Sequence, residues 1–230
     1  MTAWEHLSES NEHFTPEYII EAAREALGGV IELDPASCAE ANERVKAKKF
    51  YGAGQDFHSA SWRCNTMLLN PPGGLCDRDG HRVIRKSGET PPCTITGACG
   101  LPPGHFHPEV VSSAKRWWFR LAQEFRRRNV ESAVFVGFSL EMLQTMQVET
   151  PHDVSVYPSS LPLPPVLLPT PLDFPLCFPR SRIAYDKFSE GEIKKGASPP
   201  HASFIAFLSR SREADTRFRR AFASIGKVVG

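Results

Sequence analysis

The stretch Asn70-Pro71-Pro72 carries the most specific chemistry in this chain. It follows Thr66-Met67-Leu68-Leu69, a short apolar run with the character of a buried strand in a parallel sheet. Consecutive prolines fix φ at both positions and remove two N–H donors. The backbone therefore leaves the strand stiffly and presents carbonyl acceptors beside the Asn70 amide. Such a group suits a substrate amine, which brings N–H donors and needs acceptors. Asn, Pro and Gly are also ordinary turn residues, so Asn70-Pro71-Pro72-Gly73 reads equally well as a turn that ends a strand.

A carboxylate is expected near this group. Val30-Ile31-Glu32-Leu33 has strand character and puts Asp34 at its carboxyl end, the edge where open α/β sheets bind ligands. Ser37-Cys38-Ala39-Glu40 has the spacing of a capping box, which would start a helix directly behind Asp34. So placed, Asp34 can hydrogen-bond a nucleoside, or serve as the capping Asp of any strand–helix unit. Asp56 follows in a loop with Gly52 and Gly54, ahead of the Asn70 strand.

The elements that must position these residues are legible on either side. Thr15 as N-cap, Pro16 at the first helical position and Glu17 predict a helix start. Ile19, Ile20, Ala23, Ala26 and Leu27 continue it at helical spacing, and Gly28-Gly29 ends it. Downstream, Val110, Ala114, Trp117, Trp118, Leu121, Ala122 and Phe125 form an apolar helical stripe, with Lys115, Arg116, Arg120 and Arg126-Arg127-Arg128 on the remaining faces. Residues 132–138 predict a buried strand, 140–146 a short helix and 153–157 another strand. Closing antiparallel strands are predicted at 181–185 and 203–208, followed by a basic helical tail from Arg210 to Lys227.

Two segments interrupt this pattern. Residues 73–108 form a polar insertion holding Cys76, His81, Cys93, Cys99, His105 and His107. Zinc takes four N/S ligands, usually in tight Cys pairs, and the spacing here is looser, so no metal is expected. A loop of this length beside the Asn70 turn is expected to be flexible and functional. The second segment, about 158–175, is proline-rich and apolar, and should pack on the body or wall a pocket.

Composition sets the outer bounds. At 230 residues with 41% apolar content, we expect one domain over 1–230, carrying the insertion and the Pro-rich loop. The net charge of +1 excludes an overall basic field, so any nucleic-acid surface must be local. No run approaches transmembrane length and the N-terminus lacks a signal peptide's regions, which points to a soluble intracellular protein whose six cysteines are reduced or metal-bound rather than paired.

Taken in order, Phe14-Thr15-Pro16, Leu33-Asp34-Pro35-Ala36-Ser37, Asn42, Phe50-Tyr51, Asp56, Trp62, Asn70-Pro71-Pro72, Lys115-Arg116-Trp117-Trp118, Ala133-Val134-Phe135-Val136, 179–185 and 199–205 form a set of motifs that resembles the phage-type, Dam-like DNA N6-adenine methyltransferases. The resemblance spans roughly Phe14 to Ser209. It implies an α/β, Rossmann-like fold: a mostly parallel sheet, helices on both faces and antiparallel closing strands. It implies S-adenosylmethionine as cofactor, double-stranded DNA as partner, no membrane, and a phage- or prophage-encoded enzyme acting in the host bacterial cytoplasm. By the same resemblance, Phe14, Thr15 and Pro16 would contact the methionine end of the cofactor. Asp34, Pro35, Ala36 and Ser37 would form the acidic cofactor motif, Asp56 would approach the cofactor adenine, and Asn70, which also borders the cofactor, would receive the target amine with Pro71 and Pro72. Lys115, Arg116, Trp118, Arg180 and Arg182 would meet DNA. The family places an aromatic after the two prolines to stack on the flipped base. Gly73 stands there in this chain, leaving Trp118, Trp117 or Phe106 for that role. The same acceptor pair serves cytosine N4 or a glutamine amide, and a non-catalytic DNA-binding relic is the alternative outside enzymes.

Overall fold

Strands covered on both faces build the centre of the molecule. The computed structural model describes residues 14–52, 60–73, 75–76, 82–83, 111–146, 168–189, 192–196 and 201–230. Helix α1 (Glu17–Ala26) leads into strand β1 (Leu33–Asp34), helix α2 (Ala39–Val45), β2 (Lys49–Phe50) and β3 (Cys64–Leu69). Short strands β4 (Leu75–Cys76), β5 (Arg82–Val83) and β6 (Val111–Ser112) precede α3 (Ser113–Arg126), β7 (Val130–Gly137) and α4 (Leu140–Thr145). Then come β8 (Leu176–Pro179), the β9 (Asp186–Ser189) and β10 (Glu192–Lys195) pair, β11 (Phe204–Ser209), α5 (Arg212–Phe222) and β12 (Gly226–Val229).

Seven strands form one mixed sheet in the order β12-β8-β11-β7-β3-β1-β2. Strands β2, β1, β3 and β7 are parallel, while β11, β8 and β12 join antiparallel. The chain steps outward from β1 to β2, then crosses back to place β3 on the other side of β1. The strand order therefore reverses between β1 and β3, and in open α/β sheets such a reversal opens a crevice at the carboxyl ends.

Alternation along the central strands explains the layers. Leu68, Val134, Val136, Ile205 and Phe207 face one side, where Ile19, Ile20 and Ala23 of α1 and Phe218 and Phe222 of α5 cover them. Met67, Leu69, Ala133, Phe135, Phe204 and Ala206 face the other, under Trp118, Leu121, Ala122 and Phe125 of α3 and Met142 of α4. The fold is α/β with helices on both faces of a sheet that is parallel through its first strands. No helix among the described residues is long and apolar enough to cross a membrane.

Several boundaries differ from the sequence expectation. The N-cap of α1 is Pro16, whose carbonyl accepts from Ile19 and Ile20, while Thr15 is buried ahead of the helix. The N-cap of α2 is Cys38, with Sγ accepting from Ala41 N at 3.4 Å, while the Ser37 N–H donates to the Tyr51 carbonyl at 2.9 Å. The sheet strand near the closing region is Leu176–Pro179, and 182–185 has no regular secondary structure. The tail is helical only to Phe222, and Gly226–Val229 adds an antiparallel edge strand. At the insertion, β4 pairs with β6 (Leu75 opposite Ser112), so the two ends of the segment meet beside the Asn70 turn. Its interior, the 153–157 strand and most of the Pro-rich loop lie outside the described residues.

The edge strand depends on one glycine. A Cβ at Gly226 would lie 2.1 Å from the Phe178 carbonyl oxygen and 2.7 Å from Pro179 Cα, both backbone. Overpacking of this kind costs about 1–3 kcal/mol or more. Gly226→Ala should therefore lower the melting temperature by several degrees, whereas Lys227→Ala, at an exposed position of the same strand, should leave it nearly unchanged in a thermal denaturation scan.

Candidate functional site

At the strand-order reversal, Asp34 ends β1 and Asn70 follows the last residue of β3. Leu33 pairs with Met67, so Asp34 lies level with Leu68, and Asn70 extends two residues, about 7 Å, farther along its strand. Strand alternation points both residues toward the face covered by α1 and α5. Helix α1 runs into β1 through a turn at Gly28 and Gly29, whose φ angles of 84° and 101° suit glycine. The start of α1, with Phe14, Thr15 and Pro16, therefore lies at the edge where β1 and β3 end. A bridge between Phe14 and Asp186 fixes it there, and Arg44 holds both Glu17 (3.1 Å) and Asp186 (2.7 Å). The structure thus brings together Phe14, Thr15, Pro16, Asp34 through Ser37, and Asn70 through Pro72. Asp56 lies outside the described residues.

Asp34 is buried. Its Oδ1 accepts from Ala36 N at 3.1 Å, and its backbone carbonyl accepts from Tyr51 N at 3.0 Å. With the Ser37 N–H bonded back to the Tyr51 carbonyl, the 34–37 turn is laced to β2's exit without a glycine-rich loop. Burial pushes the Asp34 carboxyl up to about 6, against the lowering pull of the Ala36 N–H and the Ser37 hydroxyl. An ionised carboxylate offers about four acceptor positions, so capacity remains for donors of a ligand. Asn42, by contrast, is structural: Oδ1 accepts from Ala47 N at 2.9 Å and Nδ2 donates to the Ala47 carbonyl at 3.3 Å, closing the turn after α2. Burial also pushes the Cys64 and Cys177 thiols up to about 12 and 11, which leaves neither as a thiolate nucleophile.

At Asn70-Pro71-Pro72 the asparagine is half-buried, Pro71 buried and Pro72 exposed. Gly73 follows with no side chain, and Phe138, just past the end of β7, is the neighbour of that position, 3.9 Å from where a Cβ would stand. Phe138 was not singled out by sequence. The available signal was its position directly after a buried strand, the same relation that Asn70 bears to Leu69.

The basic and aromatic residues expected on DNA divide. Lys115 and Arg116 lie in the first turn of α3, and because α3 runs into β7 that turn is at the candidate edge. Lys115 is half-buried, but Arg116 is 3% exposed, so the helix does not present it as a solvated face. Trp118 is fully buried, donates Nε1–H to the Pro169 carbonyl at 2.8 Å and meets Phe135 edge-on at 5.1 Å. It is a core residue and has no face for a base. Trp117 stacks on Trp62 at 5.6 Å, and Arg120 lies over Trp62 while pairing with Glu124 at 2.9 Å. Phe106 lies outside the described residues. Arg180 and Arg182 are exposed at the carboxyl end of β8, on the same sheet edge but three strands from β3, about 14 Å. The Arg180 guanidinium donates to the Ala223 carbonyl at the end of α5. An open groove between α1, α5 and β8 includes Tyr18, Glu21, Arg24 and Arg180, with neither Asp34 nor Asn70 in it.

Comparison with protein-family models, curated proteins and solved structures finds no match.

The buried Asp34 carboxyl makes a pH prediction. Its folded value is raised above the ordinary 3.8, so its contribution to stability is complete below that value and is lost as pH rises through about 6. The displacement corresponds to roughly 3 kcal/mol at most. Asp34→Asn should flatten the stability–pH curve between pH 4 and 7 and leave the protein more stable than the parent at pH 8. Denaturant titrations at pH 4.5 and pH 8 check this; an unchanged pH dependence would remove the buried charge from the account.

Proposed function

We propose that this protein is an S-adenosylmethionine-dependent methyltransferase of Rossmann-like fold that acts on the N6 amine of adenine in DNA. The observation that carries the reading is the meeting of Asp34 and Asn70-Pro71-Pro72 at the strand-order reversal, with the Thr15-Pro16 turn on the same face. A buried carboxylate with unused acceptor capacity suits the two hydroxyls of a ribose, and the start of α1 suits the methionine end of the cofactor. The residues present therefore fit the group.

When bound, S-adenosylmethionine supplies a methyl on a sulfonium whose bonding pair stays on sulfur as the methyl passes to nitrogen. The exocyclic amine of adenine is a poor nucleophile, because its lone pair is delocalised into the ring. The Asn70 side-chain oxygen and the Pro71 carbonyl would accept its two N–H groups and draw the nitrogen toward sp³ geometry. That directs the lone pair at the incoming methyl, so the chain contributes chiefly position and electrostatics. The proton shed after transfer leaves along one of these hydrogen bonds to water. Pro71 and Pro72 keep the carbonyl from rotating away, since φ is fixed at both.

The base must leave the duplex to reach this edge. Lys115 at the start of α3 and the exposed Arg180 and Arg182 lie on the same edge, and they would hold phosphates rather than read bases.

Asn70 provides the test. Asn70→Ala should bind S-adenosylmethionine nearly as the parent does and lose about 10²–10³ in single-turnover rate on adenine-containing DNA. Asn70→Asp should keep more activity, because its carboxylate oxygen accepts the same N–H. Equal rates for all three proteins would reduce this stretch to a turn. Mass spectrometry of the digested product separates N6-methyladenine from N4-methylcytosine.

A further inference from the structure

A base drawn out of the duplex gives up its stacking and needs a π-face in exchange. Gly73 has no side chain to offer one, Trp118 is sealed in the core, and Trp117 lies against Trp62. Among the described residues, the ring beside the Gly73 end of the Asn70–Gly73 loop is that of Phe138. A Cβ on Gly73 would lie 3.9 Å from Phe138 Cζ and 4.0 Å from Cε2. Strands β3 and β7 run parallel, with Leu69 opposite Phe135 as the last pair, so the Asn70 loop and Phe138 leave adjacent strands at the same sheet edge. Phe138 is half-buried, packed against the cluster that holds Trp118 and Phe135. Its backbone is held on the downstream side, because Ser139 caps α4 by accepting from Glu141 N at 3.2 Å and Leu140 N donates to the Ala202 carbonyl at 3.1 Å.

We propose that Phe138 is the base-stacking residue of this site, receiving the flipped adenine beside the loop, which itself carries only Gly73. The inference rests on the methyltransferase reading above. It also accounts for Gly73: a side chain there would begin in van der Waals contact with the Phe138 ring and compete for the space the base would occupy. Gly73 and Phe138 form a small–large pair, with the aromatic supplied by the neighbouring strand. The cofactor residues Asp34 and Thr15 then flank one side of the Asn70 loop and Phe138 the other, so methyl donor and base approach Asn70 from opposite sides.

The test uses the 230-residue protein, unmethylated plasmid DNA and tritiated S-adenosylmethionine. Phe138→Leu keeps an apolar side chain without a π-face. It should bind S-adenosylmethionine with the parental Kd, and lose at least about fivefold in kcat/KM for DNA, the lower end of what one stacked base contributes. Phe138→Trp should stay near the parent. Adding Gly73→Tyr to Phe138→Leu should restore most of the loss by returning an aromatic to the loop. Parental kcat/KM for Phe138→Leu, an equal loss for Phe138→Trp, or weakened cofactor binding in Phe138→Leu would each overturn the assignment. Unfolding of Phe138→Leu would overturn it too, since it would make the residue core. A parent that binds S-adenosylmethionine yet leaves the plasmid unmethylated defeats the DNA reading itself, an outcome separate from any difference among the Phe138 variants.

Discussion

The packing of Phe204 against Gly137 is the constraint on which the candidate edge depends. A Cβ at Gly137 would lie 2.3 Å from the Phe204 ring, so this ring fits only where the facing strand has no side chain. Phe204 is fully buried, flanked by Phe135 at 6.1 Å, and cannot move aside. The contact fixes the antiparallel register of β11 on β7, with Phe204 opposite Gly137. Because β7 in turn pairs with β3 in parallel, the lock propagates to where Asn70 leaves the sheet and where Phe138 turns out of it. Strands buried on both faces have no polar side to penalise a slip, so steric fits of this kind must set the register instead.

At the same edge the molecule carries a cost. Burying the Asp34 carboxyl without an opposing charge disfavours its ionised form, and a neutral side chain would serve the packing better. Groups held against their solvation preference in a crevice mark functional sites more often than random positions do. The Arg44 bridge to Glu17 and Asp186 shows the opposite treatment of charge, with partners supplied on both sides to pin helix and hairpin. The contrast separates a carboxylate that holds the fold together from one left with acceptor capacity to spare.

Basic residues show how little a charge count conveys. Arg120 spends its charge on Glu124 and the Trp62 ring, Arg180 on the last turn of α5, and Arg217 and Arg220 on α1, at the Ala26 carbonyl and Glu25. These arginines join elements to one another. Of those expected on DNA, Arg180 and Arg182 are exposed at the candidate edge, Arg180 with its guanidinium on the Ala223 carbonyl.

The elements that sit in continuous apolar runs were legible from the chain alone: β3, β7 and β11, the amphipathic faces of α1 and α3, and the placement of Asp34 and Asn70 at strand ends. Those features depend on side-chain polarity at a fixed period, which is a local property. The cap positions lie one residue later than the sequence expectation, at Pro16 and Cys38, the latter with its Sγ accepting from Ala41 N. The edge strand β12 was hidden inside a basic tail, since only the carbonyls of β8 make Gly226–Val229 extended. On α3 both Trp118, from the apolar stripe, and Arg116, from the faces expected to be basic and open, are buried, and only the packed structure shows the second. Phe138 acquires its place opposite Gly73 only when β7 lies beside β3. The types of residue able to do chemistry were thus determined by the sequence itself. Their meeting at one sheet edge was decided by strand order and register, which are set by contacts between residues far apart in the chain.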